Sequence, residues 1–267
     1  MRNICRLAAM AAMLILSASC IRNVKTDLET YGLCCKVREM SVTITESELD
    51  YTLFFNRRGQ LDSIYRYDPD GAFREAEYYT YGSDHKLQEV RIFDADHEQE
   101  GRYEYTFDGD FIRTCTFFGM NNEDLYRFEN INDGENIIES SFYYEGELQS
   151  TSTKVYDGLT YEETTLDASG ECIGTAKCRL FAKDKPAVVD GDETHLEIDY
   201  NDKGLPVHTI DVAVSTNGEL GWAPDMDDNH ERWYRYEYDD RGNWIVRTEH
   251  IAPDGPAIIT ARRTIIY

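Results

Sequence analysis

The stretch Tyr236–Thr248, YEYDDRGNWIVRT, decides the fold. Tyr236 and Tyr238 fall on one face of an extended segment and Glu237 on the other, the period-two pattern of a half-buried strand. Asp239 opens a type I turn through its side chain, and Gly242 supplies the left-handed residue that closes it. A second strand then starts at Trp244. The fragment is a β-hairpin corner with a pleated strand on each side.

The corner recurs. FNRRG occupies 55–59, YDPDG 67–71, LDASG 166–170, YNDKG 200–204, VSTNG 214–218 and IAPDG 251–255, with looser versions starting at Phe93, Phe107, Phe128, Tyr144 and Tyr156. Neighbouring corners are mostly about ten to fourteen residues apart, the length of one strand plus one tight turn. Between them run β-formers in period two: YTLFF, REAEYYTY, RYEYTF, DFIRTCTFF, HLEIDY and RWYRYEY. The expected fold is all-β, an extended antiparallel meander of hairpin repeats over residues 36–267, either an open curved sheet or a partly closed barrel. Helix signal is thin and confined to DLETYGL, enough for one turn. Two stretches, Phe181–His195 and Asn217–Arg232, combine proline with clustered acids and read as long loops, where a β scaffold usually carries its binding residues.

The N-terminus reads as an export signal. Arg2 and Arg6 precede an apolar run from Leu7 to Leu16 that is too short to span a bilayer, and LSAS leads into Cys20. Small residues before a cysteine resemble a lipoprotein cleavage box, so residues 1–19 are expected to be a signal peptide and Cys20 the lipidated first residue, bearing palmitate. Residues 20–35 would be a linker. The expected location is the bacterial envelope, at the outer membrane, with its side left open.

Net charge is −24 for the whole chain and −26 once Arg2 and Arg6 are removed. A polyanion of this kind repels nucleic acid and anionic lipid surfaces, which excludes nucleic-acid binding as a function class. The expected partners are the membrane, through the N-terminal lipid, and an envelope protein or glycan. Beyond Cys20 there are five cysteines, an odd number, and none forms a C-x-x-C pair. Cys172 and Cys178 are the candidate disulfide, provided that they face each other across a turn.

With these corners in view, GQLDSIYRYDPDGAF (59–73) resembles the YD repeat of the RHS family. Tyr65, Tyr67, Asp68, Gly71 and Phe73 occupy its positions, and Tyr236, Tyr238, Asp239, Gly242 and Trp244 fit equally well. The segment Gly32–Val37 is similar to the opening strand of envelope lipoproteins that carry degenerate YD-like repeats, with Cys34 and Cys35 in place of lysine and glycine. What the resemblance implies is a β-repeat envelope lipoprotein. No catalytic residue transfers with it, and the encapsulating shell of large RHS proteins does not carry over.

The chain has 19 tyrosines. Recurring at every corner, they read as cross-strand packing, with a sugar-stacking platform as the competing reading. Trp222 differs, because it sits in a loop outside the repeat, beside Asp225, Asp227, Asp228 and Glu231; these five are the candidate ligand-binding residues. Asp225-x-Asp227-x-Asn229 begins like a calcium loop, but His230 stands where the sharp turn needs glycine and Tyr236 where the bidentate glutamate belongs. DGDE at 190–193 is a second, equally bare acidic cluster. No cofactor is expected, with calcium the one ion worth testing. Six scattered histidines form no HExxH motif, and no nucleophile elbow, P-loop or dinucleotide fingerprint is present. The functional expectation is a non-catalytic binding or scaffold module. A glycan-active hydrolase using loop carboxylates and a calcium-stabilised adhesin-like module are the alternatives.

Overall fold

The structure, a computed structural model, describes residues 27–45, 50–182, 185–192, 194–213 and 230–267. After one turn of helix, α1 (Asp27–Thr30), it contains only strands. In chain order these are β1 (Glu39–Ile44), β2 (Asp50–Phe55), β3 (Leu61–Tyr67), β4 (Phe73–Tyr81), β5 (Leu87–Asp94), β6 (Gln99–Asp108), β7 (Phe111–Gly119), β8 (Asp124–Asn132) and β9 (Ile137–Tyr144). The second half comprises β10 (Glu147–Asp157), β11 (Thr160–Asp167), β12 (Cys172–Ala182), β13 (Lys185–Gly191), β14 (Thr194–Tyr200), β15 (Pro206–Ala213), β16 (His230–Tyr238), β17 (Trp244–His250) and β18 (Ala257–Ile266).

Every strand pairs antiparallel with its successor, and β18 returns to pair with β1 from Glu39↔Ile266 to Ile44↔Ala261. The expected all-β antiparallel meander is borne out, and it closes fully into a barrel of 18 strands, further than the open sheet or partial barrel left open by the sequence. Closure removes both exposed edges at once.

The repeated corner has one geometry. At Asn56, Asp68, Gly82, Asp94, Gly119, Asp167, Asn201 and Asp239 the first residue's N–H donates to the carbonyl four residues on, and its own carbonyl accepts from the N–H three residues on. That third residue has positive φ in all eight: Gly59, Gly71, His85, His97, Asn122, Gly170, Gly204 and Gly242. A one-residue bulge follows each turn, as at Glu237/Tyr238. Asp239 shows why the repeat favours Asp or Asn at its head: its Oδ1 accepts from Arg241 N at 3.0 Å and Asn243 N at 2.8 Å.

The segment Phe181–His195, expected to be a long loop, is instead the end of β12, all of β13 and the start of β14. Its proline is tolerated because Pro186 sits at a register shift opposite Leu180, where the ladder is already interrupted. The Gly32–Val37 segment, likened above to an opening strand, precedes β1 and is not a strand. Gly32 and Cys35, with φ of 64° and 69°, break the extended run.

That segment instead crosses one end of the barrel. Leu61 N and Tyr81 Oη donate to Asp27 Oδ2 at 2.6 and 2.7 Å, Arg263 Nη1 donates to Tyr31 O at 3.0 Å, and Cys34 N donates to Asn243 Oδ1 at 2.6 Å. Leu28, Leu33 and Val37 pack beneath it with Met40, Val42, Leu53, Phe55, Leu61 and Ile64, forming the main core. Among the described residues, packing against the barrel thus already includes Leu28 and Leu33. A smaller cluster joins Tyr161, Cys178 and Leu180 on β11 and β12.

Pairing propagates one face around the ring. The inward face carries Met40, Leu53, Val90, Cys115, Cys178 and Ala261, all buried. The outward face on β10 to β12 carries Thr153 and Val155, then Glu162 and Thr164, then Thr175, Lys177 and Arg179. These outward positions are exposed, and Lys177 pairs with Glu162 at 3.0 Å in open solvent. A membrane-spanning barrel needs the opposite arrangement, an apolar outer band around a polar interior. Here the wet face is the outer one.

Two stability predictions follow from these faces and corners. Leu33→Ala, 4 % exposed, should lower the unfolding free energy by about 2–4 kcal/mol, whereas Val155→Ala, 70 % exposed, should change it by less than about 0.5 kcal/mol; urea titration of both reads the difference. At Gly71, with φ of 83°, an added Cβ would meet no atom within 4 Å. Gly71→Ala should therefore cost only the left-handed strain, about 1 kcal/mol.

Candidate functional site

The strands alternate direction, so the corners fall on two ends. The end crossed by residues 27–37 holds the corners at 56–60, 82–86, 201–205 and 239–243; the other end holds those at 68–72, 94–98, 119–123, 145–146 and 167–171. Eighteen strands about 4.8 Å apart and tilted about 40° would enclose a circle roughly 36 Å across. Facing side-chain layers fill only about 10 Å of that width, so an interior of this size has room for a lumen wherever it is not filled.

Near the uncrossed end, the inward face of β6 to β9 is paved with rings. Tyr103 pairs with Phe117 across β6 and β7, Phe117 with Tyr126 across β7 and β8, and Tyr126 with Tyr144 across β8 and β9. Their centroids lie 4.8, 5.8 and 5.5 Å apart, and Phe128 stacks on Phe142 at 4.9 Å one step deeper. These rings are half-buried, and Tyr144 at the rim is 39 % exposed. On the same inward face the next positions are polar: Ser140 Oγ donates to Asn130 Oδ1 at 2.8 Å, and the hydroxyls of Ser152 and Thr165 lie 2.7 Å apart. The belt thus offers ring faces flanked by hydroxyls and an amide, in a wall with few charges.

Deeper inside, burial dominates. It pushes the Cys115 thiol up to about 11 and raises its cross-strand neighbour Tyr105 above the usual phenol range, so neither the thiol nor the phenol ionises near neutral pH. Several inward charges are paired: Arg66 with Glu75 and Glu77, each at 2.6 Å, Lys154 with Glu163 at 3.9 Å, and Arg232 with Glu249 at 3.2 Å; Arg247 and Arg263, on the same face, lie over the Trp244 ring.

The residues singled out from the sequence fare differently. Cys20, Trp222, Asp225, Asp227 and Asp228 lie outside the described residues. Glu231 is on β16, facing outward, and takes a hydrogen bond with His208 Nε2 at 2.9 Å. Of the DGDE cluster, Asp190 is bonded to His195, and Asp192 accepts from Thr175 N and Oγ1 at 2.6 and 2.7 Å, which holds its carboxyl below the usual range. These two acids are structural ties. Among the described residues no group of three or more His, Cys, Asp or Glu is arranged to hold a metal ion. The proposed Cys172–Cys178 bridge is ruled out: both residues lie on β12, six positions or about 20 Å apart along one strand, and both are free thiols.

The ring belt was missed in the sequence because tyrosines recur everywhere. Its signal is parity: the rings of RYEYTF, LYRFEN and SFYY that share a face do so on neighbouring strands, whereas the rings of β2 to β5 include an outward set. Phe54, Tyr65, Tyr78 and Phe93 make that outer cluster, with centroids 5.2 to 6.1 Å apart, over buried Ser63 and Ala76.

No protein-family model matches the chain, and no curated protein matches it. Among solved structures, a porin-like protein from Bacteroides uniformis is 13 % identical, covering 86 % of this chain and 96 % of that one, with a TM-score of 0.44. A porin-like protein from Bacteroides vulgatus is 10 % identical over 86 % of this chain and 98 % of that one, with a TM-score of 0.27. TcdB2-TccC3 without its hypervariable C-terminal region is 10 % identical, with a TM-score of 0.25, and this chain spans 14 % of it. The superpositions are loose, and the barrel assignment rests on this chain's own strand pairing.

On the outer face, His195 lies between Asp190, which bonds its Nδ1, and Glu197 Oε1, 3.2 Å from Nε2. The hydrogen bond to Asp190 raises its pKa above the ordinary 6.5 against a smaller desolvation effect. A raised folded-state pKa means that this pair's stabilisation is complete below about pH 6.5 and is lost as pH rises through the folded value. NMR titration should find His195 titrating above 6.5, and Asp190→Asn should bring it back down.

Proposed function

We propose that this chain is a non-catalytic glycan-binding protein of the bacterial envelope, held to the outer membrane by lipid on Cys20, with the ring belt at the barrel mouth as its binding surface. The observation that carries the reading is the contiguous belt Tyr103–Phe117–Tyr126–Tyr144, with Phe128 and Phe142 beneath it. Flat ring faces take the C–H edges of a pyranose, and adjoining hydroxyls and amides take its O–H groups. A lipid tail would gain nothing from Ser140, Asn130, Ser152 and Thr165. The charged outer face fits a barrel bathed in water beside the membrane, tethered to it and not embedded in it. The YD-like corners fit the envelope lipoproteins that the sequence resembles.

The test is an array of neutral oligosaccharides probed with the protein, followed by calorimetry on those retained. A subset should bind, and Tyr126→Ala and Phe142→Ala should each weaken binding about two- to tenfold, with Val155→Ala as the unaffected control. An empty array, or binding insensitive to both ring substitutions, would overturn the proposal. Accumulation of new reducing ends would replace it with the hydrolase reading.

A further inference from the structure

The cysteines of the described chain fall into three environments. Cys115 and Cys178 are buried in the barrel wall, and burial raises both thiols. Cys172 is exposed at the start of β12, six positions along the strand from Cys178. Cys34 and Cys35 are both exposed and adjacent, with Sγ atoms 3.8 Å apart.

Their position is as informative as their spacing. Cys34 is held on three sides by the β16–β17 corner: its N–H donates to Asn243 Oδ1 at 2.6 Å, its carbonyl accepts from Asn243 Nδ2 at 3.3 Å, and its thiol donates to Arg241 O at 2.6 Å. Asn243 itself is fully buried, and its Nδ2 also donates to Tyr267 Oη at 2.8 Å. One side chain therefore joins the crossing segment, a corner and the last residue of the chain. Cys35, with φ of 69°, turns the chain so that its sulfur points back at Cys34 and away from the barrel.

We propose that Cys34 and Cys35 form a reversible dithiol–disulfide pair that loosens the segment across the barrel end when oxidised. The oxidant is a small-molecule or protein disulfide. The Cys35 thiolate attacks one sulfur of that disulfide, forming a mixed disulfide and expelling the first thiolate. The Cys34 sulfur then attacks Cys35 Sγ and expels the second. Two electrons pass from the cysteine pair to the oxidant, and the two cysteine protons end on the two departing thiols. Adjacent Cα atoms are about 3.8 Å apart, closer than the usual 4.4–6.8 Å of a disulfide. Such a ring is easily reduced again, which suits a switch better than a staple. Oxidation removes the proton that Cys34 gives to Arg241 O, so the clasp loses a hydrogen bond.

The test is peptide mapping of the reduced full chain after exposure to glutathione disulfide, with Cys172 as an internal control. The peptide holding Cys34 and Cys35 should lose two hydrogens and retain no glutathione, because the neighbour expels it, while Cys172 keeps its adduct. Cys34→Ser should leave glutathione trapped on Cys35. Trypsin cleavage after Lys36 or Arg38 should run about threefold faster in the oxidised protein, the equivalent of one hydrogen bond. Stable glutathione on both cysteines of the native chain, or an unreacted pair beside a modified Cys172, would overturn the pair. Unchanged cleavage would overturn its coupling to the segment.

Discussion

The pairing of β1 with β18 is the contact on which everything else depends. Six residues at the start of the barrel meet six at its end, and without that ladder the meander would be a long sheet with two bare edges. Every other strand pair joins neighbours in sequence. Only this one joins residues more than two hundred positions apart, so it is the contact with the largest loop-closure cost. The Asn243 side chain reinforces it from one end, and residues 27–37 bury Leu28, Leu33 and Val37 directly behind it. The larger of the two buried clusters among the described residues thus sits where the ring is sealed.

Around the rest of the circumference, stability is spread thinly. Inward rings meet ring to ring across neighbouring strands, outward positions pair Thr with Thr or acid with base, and each such pair is worth roughly 0.2–1 kcal/mol. A wall built from many small increments does not require a filled interior. That leaves the inward rings of β6 to β9 half-buried in place of being locked into a core, and it is why an aromatic surface of this size can remain available at the mouth.

Much of this was legible in the sequence because the corner is a local device. Asp239, Gly242 and Trp244 specify a turn, a left-handed residue and a strand start without help from distant residues. His85 hid a corner of the same geometry, since a histidine at positive φ does not announce itself as glycine does. Pro186 misled in the other direction: it marks a register shift within a hairpin, and its neighbouring acids made the hairpin look like a loop. Closure was not legible, because nothing in the period-two pattern of β1 or β18 says that the two meet. The mouth belt was obscured for a related reason. Which rings share a face depends on register, and each bulge after a corner shifts register by one residue.

Both chain ends of the barrel belong to the same rim. The chain enters β1 from the crossed end, and β18 finishes there beside Asn243. Any attachment made on the N-terminal side of Asp27 therefore grips the barrel by its crossed rim, like a cup held from below, and points the ring-lined end away from the point of attachment.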